Sequence, residues 1–456
     1  MTRIITCYTI TPSEATPKRR LSMSESDDIV RWTHFPCIYI YKGNHNTKRF
    51  MIKSLSDSLS KILVHYYPLA GRLNWIGGGR LELECNAKGV LLLEAESTKT
   101  LAEYGDFSPN EPINELFPTV DYTQPPEEIP LLLVQLTRFQ DGKEGLAIGV
   151  SISHPLVDGL ATTSFFNSWA KLCRGESLDP HEISPFLDRT IFKSQFPPSS
   201  PLLDHPEFKP FPLILGNSDA IEEKKKETTI TLLRLTSEQV EKLKKRANNQ
   251  SLKEGFRPYS RYEVIVAHMW RTLCMARQLD DHQQSVARIT VDVRRRLDPP
   301  LPINYFGNAV LPTVTPKCYT REIISNPINY AAQMIREAID RLTNEYIWSQ
   351  LNFIRAQKQL DCLRFDGNVN DEHNARFYGN PNFHVISWMN LPVYGADFGW
   401  GKPVYFGPRS IGSDGRAYMV RSSQGDGSII ILICLQTAHM QIFKKLFYKD
   451  IQSSLM

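Results

Sequence analysis

Residues 188–228 divide this chain in two. Gln195-Phe-Pro-Pro-Ser-Ser-Pro and the stretch from His205-Pro206 to Pro212 are rich in proline and serine, and Glu222–Glu227 is a mixed charge run. Composition of that kind rarely builds a core, so the segment reads as a long crossover with Lys224, Lys225 and Lys226 in solvent. In a chain of 456 residues, the flanking ranges 1–187 and 229–456 are each long enough to bury a core of their own.

Both ranges alternate helical and strand-like patterns, and no solenoid or propeller period repeats, which predicts an α/β class. Leu55, Leu59, Ile62 and Leu63 have helical spacing ahead of the punctuation at Tyr67-Pro68-Leu69-Ala70-Gly71. Gly145–Ser153 predicts a buried strand with Leu146, Ile148, Val150 and Ile152 on one face. A turn at Pro155–Gly159 follows, then a helix with the stripe Phe165, Phe166, Trp169, Leu172 and a stop at Gly175. Beyond the crossover, Thr236/Gln239 and Ser260/Glu263 have capping-box spacing. Ile289, Val291 and Val293 alternate as in a strand, one long helix is expected from Pro327 to Gln357, and Ser428–Leu435 predicts an interior strand.

Composition narrows the function classes. Lys and Arg total 53 against 49 Asp and Glu, a balance too even to predict a nucleic-acid or anionic-membrane partner. The longest apolar run, Ile429–Leu435, is far short of the roughly 20 residues that span a bilayer. MTRIITCYTITPSEATPKRR lacks the apolar core of a signal peptide. Eight cysteines lie scattered, none in CxxC or zinc-knuckle spacing. The expectation is a cytosolic chain without a metal or redox site.

Several catalytic signatures are missing. Gly149-Val-Ser151-Ile-Ser153 lacks the second glycine of a nucleophile elbow, and Gly77-Gly78-Gly79 leads into strand-like alternation, a hairpin turn rather than a phosphate loop. Asp397-Phe398-Gly399 has no HRD loop before it. What stands out is His154-Pro155-Leu156-Val157-Asp158-Gly159, at the end of an apolar strand. A histidine fixed there has a near-neutral pKa suited to taking a proton, although a satisfied core histidine has the same pattern. His154 and Asp158 are too few ligands for a metal, and the proline and glycine keep them off one helix face. Asp397-Phe398-Gly399-Trp400-Gly401 reads as a tight loop around a bulky ring, or as a packed aromatic turn.

Together, HxxxD near position 150 and DFGWG near position 400 resemble the BAHD family of plant acyl-CoA-dependent acyltransferases. Tyr67-Pro-Leu-Ala-Gly-Arg72, Ser184-Pro-Phe-Leu-Asp-Arg189, Tyr305-Phe-Gly-Asn308 and Ser387-Trp388 agree in the same order along the chain. The resemblance implies two α/β domains like chloramphenicol acetyltransferase, residues 1–187 carrying HxxxD and 229–456 carrying DFGWG, with a tunnel between them. It implies that His154 is the general base for direct attack on an acyl-CoA thioester, with CoA as cosubstrate, no cofactor and a monomeric chain. Asp158 would pair with an arginine to hold the histidine loop, and Asp292-Val293-Arg294 makes Arg294 that partner. Asp397, Gly399, Trp400 and Gly401 would be scaffold.

Within the family the sequence is most similar to spermidine hydroxycinnamoyltransferases, through Tyr8-Thr-Ile-Thr-Pro12, Asp397–Gly407 and the C-terminal segment. That implies a coumaroyl, caffeoyl or feruloyl donor and spermidine amines as acceptor. Read back from Ser387-Trp388, the place of a carboxylate-binding arginine falls near His373, beside Asp371 and Glu372. Acids there suit a polyamine, unless they are solvated loop acids or Arg376 takes the arginine's place. Phe35, Cys37 and Tyr39 give a more apolar pocket wall, and Trp388 packs on acyl group, acceptor or core. Acylation of shikimate, quinate or another alcohol is the first alternative; a binding protein without turnover is the second.

Overall fold

The computed structural model describes residues 1–43, 48–109, 111–139, 145–177, 184–194, 203–249, 257–361, 363–364 and 379–452. Strands of the N-terminal half are β1 Thr2–Ile10, β2 Arg19–Ser22, β3 His34–Lys42, β4 Arg72–Gly77, β5 Arg80–Cys85, β6 Val90–Ser97, β7 Leu132–Arg138 and β8 Gly145–Ser153. The rest are β9 Thr228–Leu235, β10 Gln284–Ser285, β11 Ala287–Asp292, β12 Val310–Val314, β13 Cys318–Tyr319, β14 Phe383–Ser387, β15 Tyr405–Pro408, β16 Arg416–Arg421 and β17 Ile429–Gln436. The longer helices are α1 Lys48–His65, α2 Gly159–Cys173, α3 Ser237–Asn248, α4 Arg261–Ala276, α5 Ile328–Asp340, α6 Asn344–Ala356 and α7 Thr437–Gln452.

Two six-stranded mixed sheets dominate, ordered β1-β6-β7-β8-β3-β15 and β12-β11-β14-β16-β17-β9. In the first, Ile148, Val150 and Ile152 of β8 pack with Leu55, Leu59 and Ile62 of α1 and Phe165, Phe166 and Trp169 of α2. The other face of β8 is also buried, because its residues there are small. A Cβ on Gly149 would sit 2.0 Å from the Leu116 carbonyl oxygen, so only glycine lets that layer approach. In the second sheet, Ile429, Ile431 and Ile433 of β17 pack with Val264 and Trp270 of α4, Ile335 of α5 and Phe443 of α7. The capping boxes at Thr236 and Ser260 both form.

The sequence expectation differs from the fold at three places. The single helix predicted over Pro327–Gln357 is two, α5 and α6. Thr343 Oγ1 accepts the Tyr346 N–H at 3.2 Å and starts a new helix, while Arg296 Nη1 donates to the Ile339 and Leu342 carbonyls at the end of the old one. The crossover is no bare linker either. Phe192 and Phe208 are buried with Leu351 and Ile354 of α6, and Phe208 stacks on Phe353 at 5.2 Å. Glu207, fully buried, accepts from Tyr346 Oη and Gln350 Nε2. Composition misleads here, because a buried acid with enough donors behaves as a core residue. Lastly, β15 leaves the C-terminal half and pairs antiparallel with β3, completing the N-terminal sheet. The N-terminal sheet thus takes one strand from beyond residue 228.

Candidate active site

His154 follows directly on β8, and three residues hold the turn that carries it. Its N–H donates to Thr33 O at 2.9 Å. Asn308 Nδ2 donates to the His154 and Pro155 carbonyls, both at 3.0 Å, and Arg189 Nη2 donates to Leu156 O at 2.8 Å. Asp27 ties these clamps together, accepting from Asn308 N–H at 2.8 Å and pairing with Arg189 at 2.6 Å. Asn308 and Arg189 thus reach the turn from stretches that, as sequence, were family likeness without a mechanism. Asp27 carries only a local signal in the sequence, the capping spacing Ser24-x-x-Asp27, which forms.

Asp158 turns away from the histidine ring. It caps α2, with Oδ1 accepting the Ala161 N–H at 2.9 Å; Oδ2 accepts the Ala309 N–H at 2.9 Å and meets Arg294 Nη2 at 2.8 Å. Arg294 is buried and also meets Asp292 at 3.0 Å. A carboxylate with this set of donors is committed to structure, and its charge reaches His154 only through space.

The His154 ring is partly buried, and Nδ1 is the shielded nitrogen, with no hydrogen-bond partner among the described residues. Burial pushes its pKa below the usual histidine value, partly offset by the charge of Asp158. The ring is therefore neutral near pH 7 and able to accept a proton. Phe35 stands at 5.8 Å from it, Trp388 at 5.4 Å from Phe35, and Phe406 at 5.4 Å from Trp388. This series of rings leads to a cleft of about 170 Å³ between the two sheets, lined by Phe406, Tyr405, Tyr394, Val420 and Arg234 among others. Trp388 and Tyr39 are buried in that ring cluster; Cys37 and Tyr39 present no surface to solvent. Trp348 lies elsewhere, against Phe192 of the crossover. Asp371, Glu372, His373 and Arg376 lie outside the described residues.

The DFGWG loop does not touch His154. Asp397 Oδ1 accepts the Gly399 and Gly401 N–H groups at 2.8 and 3.0 Å, and both glycines have positive φ. Phe398 packs on Trp169 at 4.9 Å, Trp400 on Tyr41 at 5.5 Å, and Tyr41 Oη donates to Ala396 O. Arg174 hydrogen-bonds the Asp397 carbonyl. The loop thus fastens the C-terminal chain to the N-terminal half immediately before β15.

One acid beside the site is poorly compensated. Asp28 Oδ2 lies 3.8 Å from Arg80 Nε and Oδ1 has no hydrogen-bond partner among the described residues. Burial, with the neighbouring charge of Asp27, pushes its carboxyl up to about 7. The unfolded chain releases that proton near pH 4 and the folded chain keeps it to near neutrality. Stability from this group is present in acid and lost as pH climbs to 7, at roughly 1.4 kcal/mol per pH unit. Asp28→Asn is expected to flatten that slope and raise Tm at pH 8 more than at pH 5. Melts showing the wild-type slope in the variant would assign it elsewhere.

With this geometry, the comparisons with known proteins are specific. The Transferase family matches residues 1–450. A hydroxycinnamoyl-CoA:piscidic acid hydroxycinnamoyltransferase of Actaea racemosa is 43% identical over 446 residues, covering 97% of this chain and 98% of that one. The chain belongs to the BAHD acyl-CoA-dependent acyltransferases. Shikimate O-hydroxycinnamoyltransferase of Nicotiana tabacum is 36% identical over 441 residues, covering 96% and 97%. Vinorine synthase has the same fold, with a TM-score of 0.71 over 97% of this chain and 96% of that one at 22% identity. In this BAHD chain acyl-CoA is a cosubstrate, and among the described residues no group of three or more His, Cys, Asp or Glu could hold a metal. No helix among them is long and apolar enough to cross a membrane.

Proposed function

We propose that this chain transfers a hydroxycinnamoyl group from its CoA thioester to a hydroxyl group of a small carboxylic acid. The observation that carries the reading is His154: a neutral imidazole on a turn clamped by Thr33, Asn308 and Arg189, with Asp158 committed to Arg294. His154 takes the acceptor's hydroxyl proton as that oxygen attacks the thioester carbonyl. The tetrahedral intermediate collapses, the carbon–sulfur bond breaks, and the CoA sulfur leaves as thiol with the proton returned from His154. Asp158 and Arg294 hold the turn, and Asp397, Gly399, Trp400 and Gly401 hold β15. The ring series Phe35, Trp388 and Phe406 and the cleft beyond it suit a flat phenylpropenoyl group.

The acceptor class follows the relatives, whose names give piscidic acid and shikimate as acceptors. Spermidine, expected from the sequence, lacks such support. Its ammonium groups need acids, and of those holding the histidine turn Asp158 and Asp27 are both paired with arginines.

The test is CoA release by purified protein with coumaroyl-, caffeoyl- or feruloyl-CoA, with products identified by mass. Tartrate, shikimate and quinate are compared with spermidine. Ester products are expected; turnover with spermidine alone would overturn the hydroxyl reading and leave the family assignment intact.

A further inference from the structure

Two arginines and a histidine share one rung of the C-terminal sheet. Arg288 of β11 is paired with His384 of β14, and His384 with Arg416 of β16. Their strand neighbours Phe383, Val385 and Ala417 pack into the core with α4, α5 and α7. Alternation therefore turns Arg288, His384 and Arg416 to the opposite face, the one that meets the N-terminal half. The rung continues through Cys434 of β17 to Ile230 of β9, so its own charge is positive. Charge on such a face is costly, and Arg288 and His384 are each only 4% exposed.

Side chains connect this rung to the histidine. On the same face the next pair along β14 and β16 is Ile386 and Tyr418. Tyr418 is 4.6 Å from Trp388, Trp388 is 5.4 Å from Phe35, and Phe35 is 5.8 Å from His154. Further along β16, Val420 and Ser422 line the cleft already described. The cleft and the charged rung thus stand on opposite sides of the Trp388–Tyr418 pair, which the ring series joins to His154.

The charged groups are also set in place. Arg288 Nη1 donates to His384 Nε2 at 2.7 Å. Burial and the two guanidiniums hold His384 well below the usual histidine value, so the ring is neutral and free to accept. A Cβ on Gly412, where φ is +86°, would sit 2.7 Å from Arg416 Nη1, and glycine there gives the guanidinium its room.

We propose that Arg288 and Arg416 bind the carboxylate of the acceptor, with His384 positioning Arg288. The inference rests on the reading of a hydroxy acid as acceptor and adds which residues select its charge. Each guanidinium offers a planar pair of N–H donors, the match for a carboxylate. The acceptor approaches His154 from the rung's side of Trp388, and the acyl group occupies the cleft on the other. Neither arginine stands where sequence position put one, near residue 373.

The test compares shikimate with methyl shikimate, which share their hydroxyls and differ by one charge. In wild type the KM for the ester is expected to exceed that for the acid about tenfold or more, the size of one charge-assisted hydrogen bond. Arg416→Gln and Arg288→Gln should each raise the KM for shikimate about tenfold and close that gap, and Arg416→Lys should recover part of the loss. Discrimination retained in both variants, or an equal loss with acid and ester, would overturn the site. Should the buried Arg288 prove necessary for folding, the partly exposed Arg416 decides. Calorimetric titration of shikimate and of tartrate, without acyl-CoA, separates this from the catalytic reading. Binding that weakens in the variants supports the site even if no ester forms; binding equal in all proteins, or none in wild type, rejects it. Ester formation with an unaltered KM in both variants would reject the site and leave the hydroxyl reading standing.

Discussion

Replacing His154 by alanine is expected to lower kcat by about 10²–10⁴-fold, the usual range for a general base, with the thermal melt and acyl-CoA binding close to wild type. The clamps on the turn are made to backbone atoms of His154, Pro155 and Leu156, so truncating the imidazole leaves them in place. The pH profile sharpens the test. A base must be unprotonated, and burial sets the pKa of His154 below the usual value. The rate should therefore rise with pH through the acid range and level off by neutrality. An aliphatic hydroxyl acceptor keeps its proton throughout this range, so the attacking group adds no further limb and the plateau should persist. With a protonated amine the rate should keep climbing as the amine loses its proton. One profile thus separates ester from amide formation. Turnover retained in His154→Ala would remove His154 as the base; no turnover in wild type, with acyl-CoA bound equally well by both proteins, would leave a binding protein.

The second large effect is expected at the buried pair of Asp158 and Arg294. Asp158→Ala leaves the guanidinium of Arg294 without its main partner and two N–H groups, of Ala161 and Ala309, without acceptors. Breaking one side of a buried pair costs about 3–5 kcal/mol, to be read as a lower denaturation midpoint. Asp158→Asn keeps the Oδ1 cap of α2 but sets an amide NH2 against the Ala309 N–H and the Arg294 guanidinium; it fills the same space without the charge and is the variant that reports on chemistry. Because the Asp158 carboxylate raises the pKa of His154, its removal should move the acid limb of the pH profile to lower pH. Wild-type stability in both variants would mean that the pair does not hold the turn.

How much of this was legible in the sequence depends on the distance over which each feature is decided. The strand Gly145–Ser153, the caps at Thr236 and Ser260 and the stop at Gly175 are settled by neighbours within a few positions, and they stand where the pattern puts them. Thr343 is equally local, yet an apolar period running through it masks the start of α6. The clamp on the histidine turn is another matter. Asp27, Arg189 and Asn308 are far apart in sequence and meet only when both halves are folded, so no window of sequence contains the contact. Phe35 beside His154 was readable as a pocket wall, but the full burial of Cys37 and Tyr39 depends on rings from α2 and β15.

The pairing of β15 with β3 has a consequence for how the chain comes off the ribosome. Until Tyr405–Pro408 emerges, Cys37–Ile40 has an unpaired edge next to an otherwise complete sheet. At synthesis rates of about 5–20 residues per second, that edge stays open for tens of seconds after β8 has been made. An open edge of apolar strand is a template for another chain. The yield of active protein should therefore depend on chaperone supply and translation speed during that interval, and a chain stopped before residue 405 is an aggregation hazard rather than a working half.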